Sequence, residues 1–179
     1  MRGRSTTVSL VILRLLPLFI AMLVFALDRW TKVWIESSMS LWDSYSVIPG
    51  FFDIVHAKNK GAAFGMFSDS DHPLRTTLLV GVSIAVLLFI SYVLLKPGRA
   101  GFSANIVTTI GLALVLGGAL GNIYDRVIHG EVTDFLEFYS GTWRFAAFNV
   151  ADSAITTGAG LLIIDMWRSR KRTDASEAH

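Results

Sequence analysis

From Thr76 to Leu95 the chain runs for 20 residues without a charged side chain, and from Ala100 to Tyr124 for 25. Phe145 to Ile164 is a third such stretch of 20, interrupted only by Asp152. A helix needs ~20 apolar residues to cross the hydrocarbon of a bilayer. Backbone inside lipid must satisfy its own hydrogen bonds, so segments like these have few choices other than to span as helices. A fourth stretch, from about Leu15 to Ile35, is apolar over its first 13 residues and then carries Asp28, Arg29 and Lys32. The chain therefore reads as an all-α polytopic membrane protein, one membrane domain over residues 1–179. Four transmembrane helices are expected at about 15–35, 76–95, 100–124 and 145–164, with extracytoplasmic segments at 36–75 and 125–144.

Composition agrees. Charged residues make up 17% of the chain, against about 25% in a typical soluble protein. Arg2 and Arg4 ahead of an apolar run resemble the start of a signal peptide. The run closes on Val24-Phe25-Ala26-Leu27-Asp28, however, without a small-x-small cleavage site, so a retained anchor is expected. The N-terminus, the 96–99 turn and the tail carry a net +6, and the remaining segments −4. Lys and Arg concentrated in short segments mark the inside of a membrane, which puts both termini in the cytoplasm. Trp30, Trp34, Tyr139, Trp143 and Trp167 fall near span ends, where amphipathic rings prefer the interface.

The larger outer segment holds Tyr45-Ser46-Val47-Ile48, then Pro49-Gly50, then Phe51 to Ala57, which reads as two short strands about a turn. There are no cysteines, which excludes disulfides, thiolate catalysis and cysteine metal sites. No two of His56, His72, His129 and His179 have the i, i+4 spacing of a helical zinc site, so neither a metal nor another cofactor is expected. The net charge of +2 gives nucleic acid little to bind.

Charges in or near a span are costly, about 2.5–3.5 kcal/mol each at mid-bilayer on insertion scales, and so mark partners or function. Asp28 and Lys32 share a helix face and can pair. Gly117 and Gly121 form a small-xxx-small face for close helix approach. Asn122, Asp125 and Arg126 follow on one side of the same helix, and Asp125 beside Arg126 reads more readily as an ion pair than as a reacting acid. Asp134, in Val132-Thr133-Asp134-Phe135, reads alone as an ordinary loop acid. Asp152 is different: it is the sole charge of the fourth span, Asn149 lies three residues before it, and no basic residue stands within four positions. A lone acid there takes up a proton or finds a partner. If Asp134 and Asp152 meet near the outer surface they share one proton, and such a pair can hydrolyse an amide through water. Asp125 and Asp134 stay open alternatives for the second acid at this level.

The stretches Asp28-Arg29-Trp30-Thr31-Lys32, Asn59-Lys60-Gly61-Ala62-Ala63-Phe64, Gly117 to Arg126, Val132 to Phe135 and Phe148 to Ser153 together resemble the bacterial lipoprotein signal peptidases (signal peptidase II), in the family's order and over roughly residues 15–170. Thr133 departs from the family's usual valine. The resemblance implies four transmembrane helices with a small extracytoplasmic β-cradle and a short amphipathic helix near the membrane. It implies a catalytic dyad of Asp134 and Asp152, with Asp28, Lys32, Asn59, Gly61, Asn122, Asp125, Arg126 and Asn149 binding substrate or supporting the dyad. It also implies a diacylglyceryl-modified prolipoprotein substrate cut on the N-terminal side of its lipidated cysteine, a bacterial inner-membrane location among phospholipid, and inhibition by globomycin. Phe64, Phe67, Phe135 and Phe138 are candidates for apolar contact with lipid. Two other classes fit the residues less well. A proton-coupled transporter or channel predicts acids spread through the membrane depth and an inverted repeat, and a scaffold predicts that every acid sits in an ion pair.

Overall fold

The computed structural model describes residues 3–61, 73–95 and 105–177. Four long helices form the body: α1 (Gly3–Ser38), α2 (Pro73–Leu95), α3 (Ile106–Ile128) and α4 (Val150–Glu177). Four short strands cap one end: β1 (Ser44–Ile48), β2 (Phe52–Asn59), β3 (Val132–Ser140) and β4 (Trp143–Arg144). They make one antiparallel sheet in the order β1-β2-β3-β4. The fold is therefore helices with a small antiparallel sheet, and a purely all-α description is too narrow. Among the described residues, Ile106–Ile128 and Val150–Ser169 are long and apolar enough to cross a membrane, and Val80–Val93 is a shorter apolar helix.

Two segments differ from expectation. The helix expected from residue 145 begins at Val150. Phe148 instead bridges to Leu136, with Phe148 N donating to Leu136 O and both Phe135 N and Leu136 N donating to Phe148 O. Pairing with a strand edge thus overrides the apolarity of 145–149. The segment after α3, read from the sequence only as an outer segment, contributes β3 and β4. Its alternation is hidden because Val132, Thr133, Asp134 and Phe135 are all buried, so no in-out period shows in the sequence. The first hairpin forms as expected, with Gly50 at φ 80° in its turn and Ile48 opposite Phe52. Residues 62–72 and 96–104, and with them Ala62, Ala63, Phe64 and Phe67, lie outside the described residues. No short amphipathic helix stands among the described ones.

The bundle closes around Ala21 of α1, Ile90 and Val93 of α2, and Leu112, Val115 and Leu116 of α3. Glycines set how near the helices come. A Cβ on Gly117 would stand 2.6 Å from Ala21 O, and one on Gly118 would overlap Ala151 O. At the other end of α3, a Cβ on Gly111 would stand 3.0 Å from Gly158 O. Thus α3 is the central helix, pressed on α1 by one face and on α4 by another. The small-xxx-small face read from Gly117 and Gly121 is used, since Gly121 also faces α1 through the Asp28 carboxylate.

Candidate active site

α4 starts with a reciprocal cap. Asn149 Oδ1 accepts from Asp152 N at 3.0 Å, and Asp152 Oδ2 accepts from Asn149 N at 3.3 Å. This is a capping box with Asn149 as cap and Asp152 three residues on. Asp152 therefore lies in the first turn of its helix, not a turn or two inside it, where the helix N-terminus favours a negative charge. Its Oδ1 accepts from Asn122 Nδ2 of α3 at 2.8 Å.

Asp134 comes from the buried half of β3. Its Oδ1 accepts from Asn149 Nδ2 at 2.6 Å, and its Oδ2 from Asn59 Nδ2 of β2 at 2.9 Å. Asn59 pairs in register with Val132, and Ala57 with Asp134, so Asn59 and Asp134 are diagonal neighbours on one sheet face. The carboxyl of Asp134 is pushed up to about 7, first by burial and next by the charge of Asp152. Hydrogen bonds from Asn59 and Asn149, and the Lys32 charge, oppose the rise. One asparagine thus joins the two acids: Asn149 donates to the Asp134 carboxyl from its side-chain nitrogen and to the Asp152 carboxyl from its backbone N–H, while its side-chain oxygen accepts from Asp152 N.

Behind this pair runs a line of buried charge. Lys32 Nζ donates to Asp28 Oδ2 at 2.7 Å and to Asn122 Oδ1 at 3.2 Å, and lies 2.7 Å from Asp125 Oδ2. Lys32 and Asp28 are fully buried and Asp125 nearly so. Asp28 Oδ1 accepts from Ala151 N at 2.9 Å, tying α1 to the first turn of α4. Gly121 leaves the space this carboxylate fills, since a Cβ there would overlap Asp28 Oδ2. The Asp28–Lys32 pair forms as the spacing suggested. Asp125 does not pair with Arg126. It takes Arg29 and Lys32 of α1 instead, because adjacent residues on a helix do not face one another. Arg126 donates to Gly61 O at 3.1 Å and to Asn122 O at 3.3 Å. Gly61 N in turn donates to Asn59 Oδ1 at 2.8 Å, so Arg126, Gly61 and Asn59 form a second relay that ends on Asp134.

A cavity of roughly 960 Å³ opens onto these groups. Asn59, Gly61, Asn122, Arg126, Asp134 and Asp152 line it, with Leu41, Trp42, Phe145, Ala146, Ala147 and Ile155 as apolar wall. Phe135 is buried, and Phe138 packs on Phe51, Phe52 and Phe148. Both belong to the sheet's packing and neither lines the cavity. On the opposite face of the same strand pair, Lys58 and Thr133 are register partners, and Lys58 Nζ donates to Thr133 Oγ1 at 2.8 Å and to Glu36 Oε1 at 2.6 Å. Thr133 Oγ1 also donates to Glu36. No local pattern in the chain announces this triangle, which ties β2 and β3 to the end of α1. Its members lie far apart in the chain, and only Thr133 stood out as a departure from the resembled family.

The model of the family described as Signal peptidase (SPase) II matches residues 20–168. The chain belongs to the signal peptidase II family. That family is one of proteases, so the chain is a protease of this class. Among its relatives is the lipoprotein signal peptidase of Solibacter usitatus (strain Ellin6076), 47% identical over 153 residues, 86% of this chain and 91% of that protein. The lipoprotein signal peptidase of Maridesulfovibrio salexigens is 42% identical over 84% of this chain and 94% of its own. A solved structure described as a bacterial membrane enzyme at 2.3 Å resolution superposes with a TM-score of 0.75 at 33% identity, covering 87% of this chain and 90% of that one. A second, at 1.9 Å, gives 0.70 at 32% identity, over 83% and 90%.

Proposed function

We propose that this chain is an endopeptidase that removes the signal peptide from diacylglyceryl-modified prolipoproteins, cutting on the N-terminal side of the lipidated lipobox cysteine. Asp134 and Asp152 form the dyad. The observation that carries this is the bridge through Asn149, which donates to the Asp134 carboxyl from its side chain and to the Asp152 carboxyl from its backbone N–H, with both acids on one cavity. Asp134, pushed up to about 7, is the member that keeps a proton. Asp152 is then the charged member.

In this reading Asp152 draws a proton from a water in the cavity, and the water oxygen attacks the scissile carbonyl. Asp134 donates its proton to the carbonyl oxygen as charge develops there. As the C–N bond breaks, the proton taken up by Asp152 passes to the leaving amine, and Asp134 regains its own from the collapsing hydroxyl. Asn59 and Asn149 fix the Asp134 carboxyl, and Asn122 fixes that of Asp152. Asp28, Lys32 and Asp125 keep Asn122 and the start of α4 in place, and Arg126 and Gly61 do the same for Asn59.

The four long helices act as four membrane spans, with both termini cytoplasmic and the sheet and dyad near the outer face of the bacterial inner membrane. Uncharged stretches and the positive-inside distribution support this orientation. The substrate is presented there in phospholipid, and globomycin is the expected inhibitor. The test is cleavage of a diacylglyceryl-modified prolipoprotein by purified protein in detergent, with Asp134→Asn and Asp152→Asn alongside. Cutting before the lipidated cysteine by the unmodified protein, and none by either folded variant, supports the dyad. A normal rate in either variant overturns it.

A further inference from the structure

Trp42 has φ 72° and is the sole non-glycine with positive φ among the described residues. In that left-handed region Cβ crowds the next carbonyl, and a bulky side chain is an unusual occupant. The conformation is imposed from several directions. Trp42 N donates to His56 O at 2.8 Å, and His56 N donates to Asp43 O at 3.0 Å. His56 Nδ1 lies 2.9 Å from Met39 O, and Ser40 N donates to Asp43 Oδ2 at 2.9 Å. His56 is itself buried in the sheet, so the 39–43 turn is fastened to a fixed point on β2.

This turn presents the indole, 72% exposed, on the wall of the cavity that holds Asp134 and Asp152. Backbone held in a sparsely populated region persists where the surroundings over-determine it, and such positions cluster at ligand clamps. A glycine would satisfy the same turn without strain, so the tryptophan needs a reason in its side chain. Leu41, also exposed, stands beside it, and Phe145, Ala146 and Ala147 contribute further apolar wall. At roughly 960 Å³ the cavity is large for a peptide bond alone and near the upper range of ligand pockets. An indole offers an apolar face together with one N–H donor. That combination suits an ester flanked by methylenes.

We propose that Trp42 is a specificity-determining contact for the glyceryl-ester and proximal acyl portion of the substrate's lipidated cysteine. The proposal rests on the prolipoprotein reading above. Trp42 takes no part in bond making; it grips the lipid-bearing side of the cut and so sets affinity.

The experiment compares the unmodified protein with Trp42→Ala, Trp42→Phe and Trp42→Gly in steady-state cleavage. It also measures inhibition by the two product halves separately: a synthetic diacylglyceryl-cysteine peptide and the freed signal peptide. Trp42→Ala is expected to raise KM roughly tenfold, the scale of one lost aromatic contact, with kcat within about twofold. It should weaken inhibition by the lipopeptide to a similar degree and leave inhibition by the signal peptide unchanged. Trp42→Phe should retain most of the affinity. Trp42→Gly should lose affinity like alanine while its Tm rises by about 2–4 °C through relief of the backbone, which separates lost contact from lost folding. An unchanged KM in both Trp42→Ala and Trp42→Gly overturns the proposal, as does equal weakening of both product halves. If the unmodified protein cuts no lipidated substrate, the prolipoprotein reading itself fails; if it cuts normally and the variants match it, only the role of Trp42 does.

Discussion

Asn149 Nδ2 lies 2.6 Å from Asp134 Oδ1, the shortest of the asparagine contacts on that carboxyl, and joins the first residue before α4 to the buried half of β3. The same side chain begins the helix that carries Asp152. Asn149→Ala therefore removes a helix cap and a positioning bond together. Loss of a cap costs about 1 kcal/mol, a Tm drop of about 2–4 °C at this size. Cleavage should fall much further, by roughly 10- to 100-fold in kcat, the scale seen for residues that orient catalytic groups. A kcat loss no larger than the stability loss accounts for would separate Asn149 from the chemistry.

The rate should depend on pH through Asp134. With its carboxyl at about 7, the protonated form is lost as pH rises through that value. The kcat/KM profile of the free enzyme is expected to have its alkaline limb near 7, as a property of the coupled pair. Asn59 holds the ionised form by donating to Oδ2, so Asn59→Ala should move that limb upward. A limb that stays in place or moves down counts against Asp134 as the acid.

Stability depends on the same group and falls in the same direction. Asp134 titrates at about 7 in the folded chain and at the ordinary 3.8 when unfolded. Between those values the folded state holds the extra proton, so stability is full below about pH 4 and falls as pH rises to about 7. The cost above pH 7 has an upper bound of about 4 kcal/mol by linkage. Asp134→Asn should therefore melt higher than the unmodified protein at pH 8, and the difference should close by pH 4. Thermal melts in detergent across this range check it, and a variant that melts lower at pH 8 contradicts it.

Lys32 is enclosed between Asp28 and Asp125. Lys32→Met leaves Asp28 without its cation and Asp125 with Arg29 alone, and breaking a buried pair in this way costs about 3–5 kcal/mol. Adding Asp125→Asn should restore part of the loss. If the double variant melts no higher than the single one, the three side chains are not acting as one cluster.

Gly121→Ala inserts a methyl where the Asp28 carboxylate sits. It is expected to displace Asp28 from Lys32 and from Ala151 N, and to lower both Tm and kcat. Gly160→Ala meets nothing within 4 Å and should leave both unchanged.

The helices were legible because lipid leaves an uncharged run of 20 residues few alternatives, and Asp28 with Lys32 because a helix puts i and i+4 together. What failed to show depends on chain segments meeting. Asp125 finds Arg29, 96 residues away, and no local pattern announces that. The buried stretch Val132 to Phe135 carries no alternation, so β3 was hidden. Phe145 to Asn149 looked helical from its apolarity, although the Asn149-x-x-Asp152 spacing is that of a capping box and could have marked the true start of α4. Physical reading alone left Asp125 and Asp134 as rivals. The family resemblance chose Asp134, and the geometry gives the two different surroundings: Asp125 locked among cations, Asp134 open to the cavity.

The capping box has a bearing on when such an enzyme becomes dangerous to its own membrane. A chain whose last helix has not wound, or has not docked on α3 and the sheet, holds Asp152 away from Asn122 and Asp134 away from Asn149. Hydrolytic power on the dyad reading then arrives only with the final assembled state. On the same reading a copy that lacks this assembly carries both acids without the contacts that hold them together.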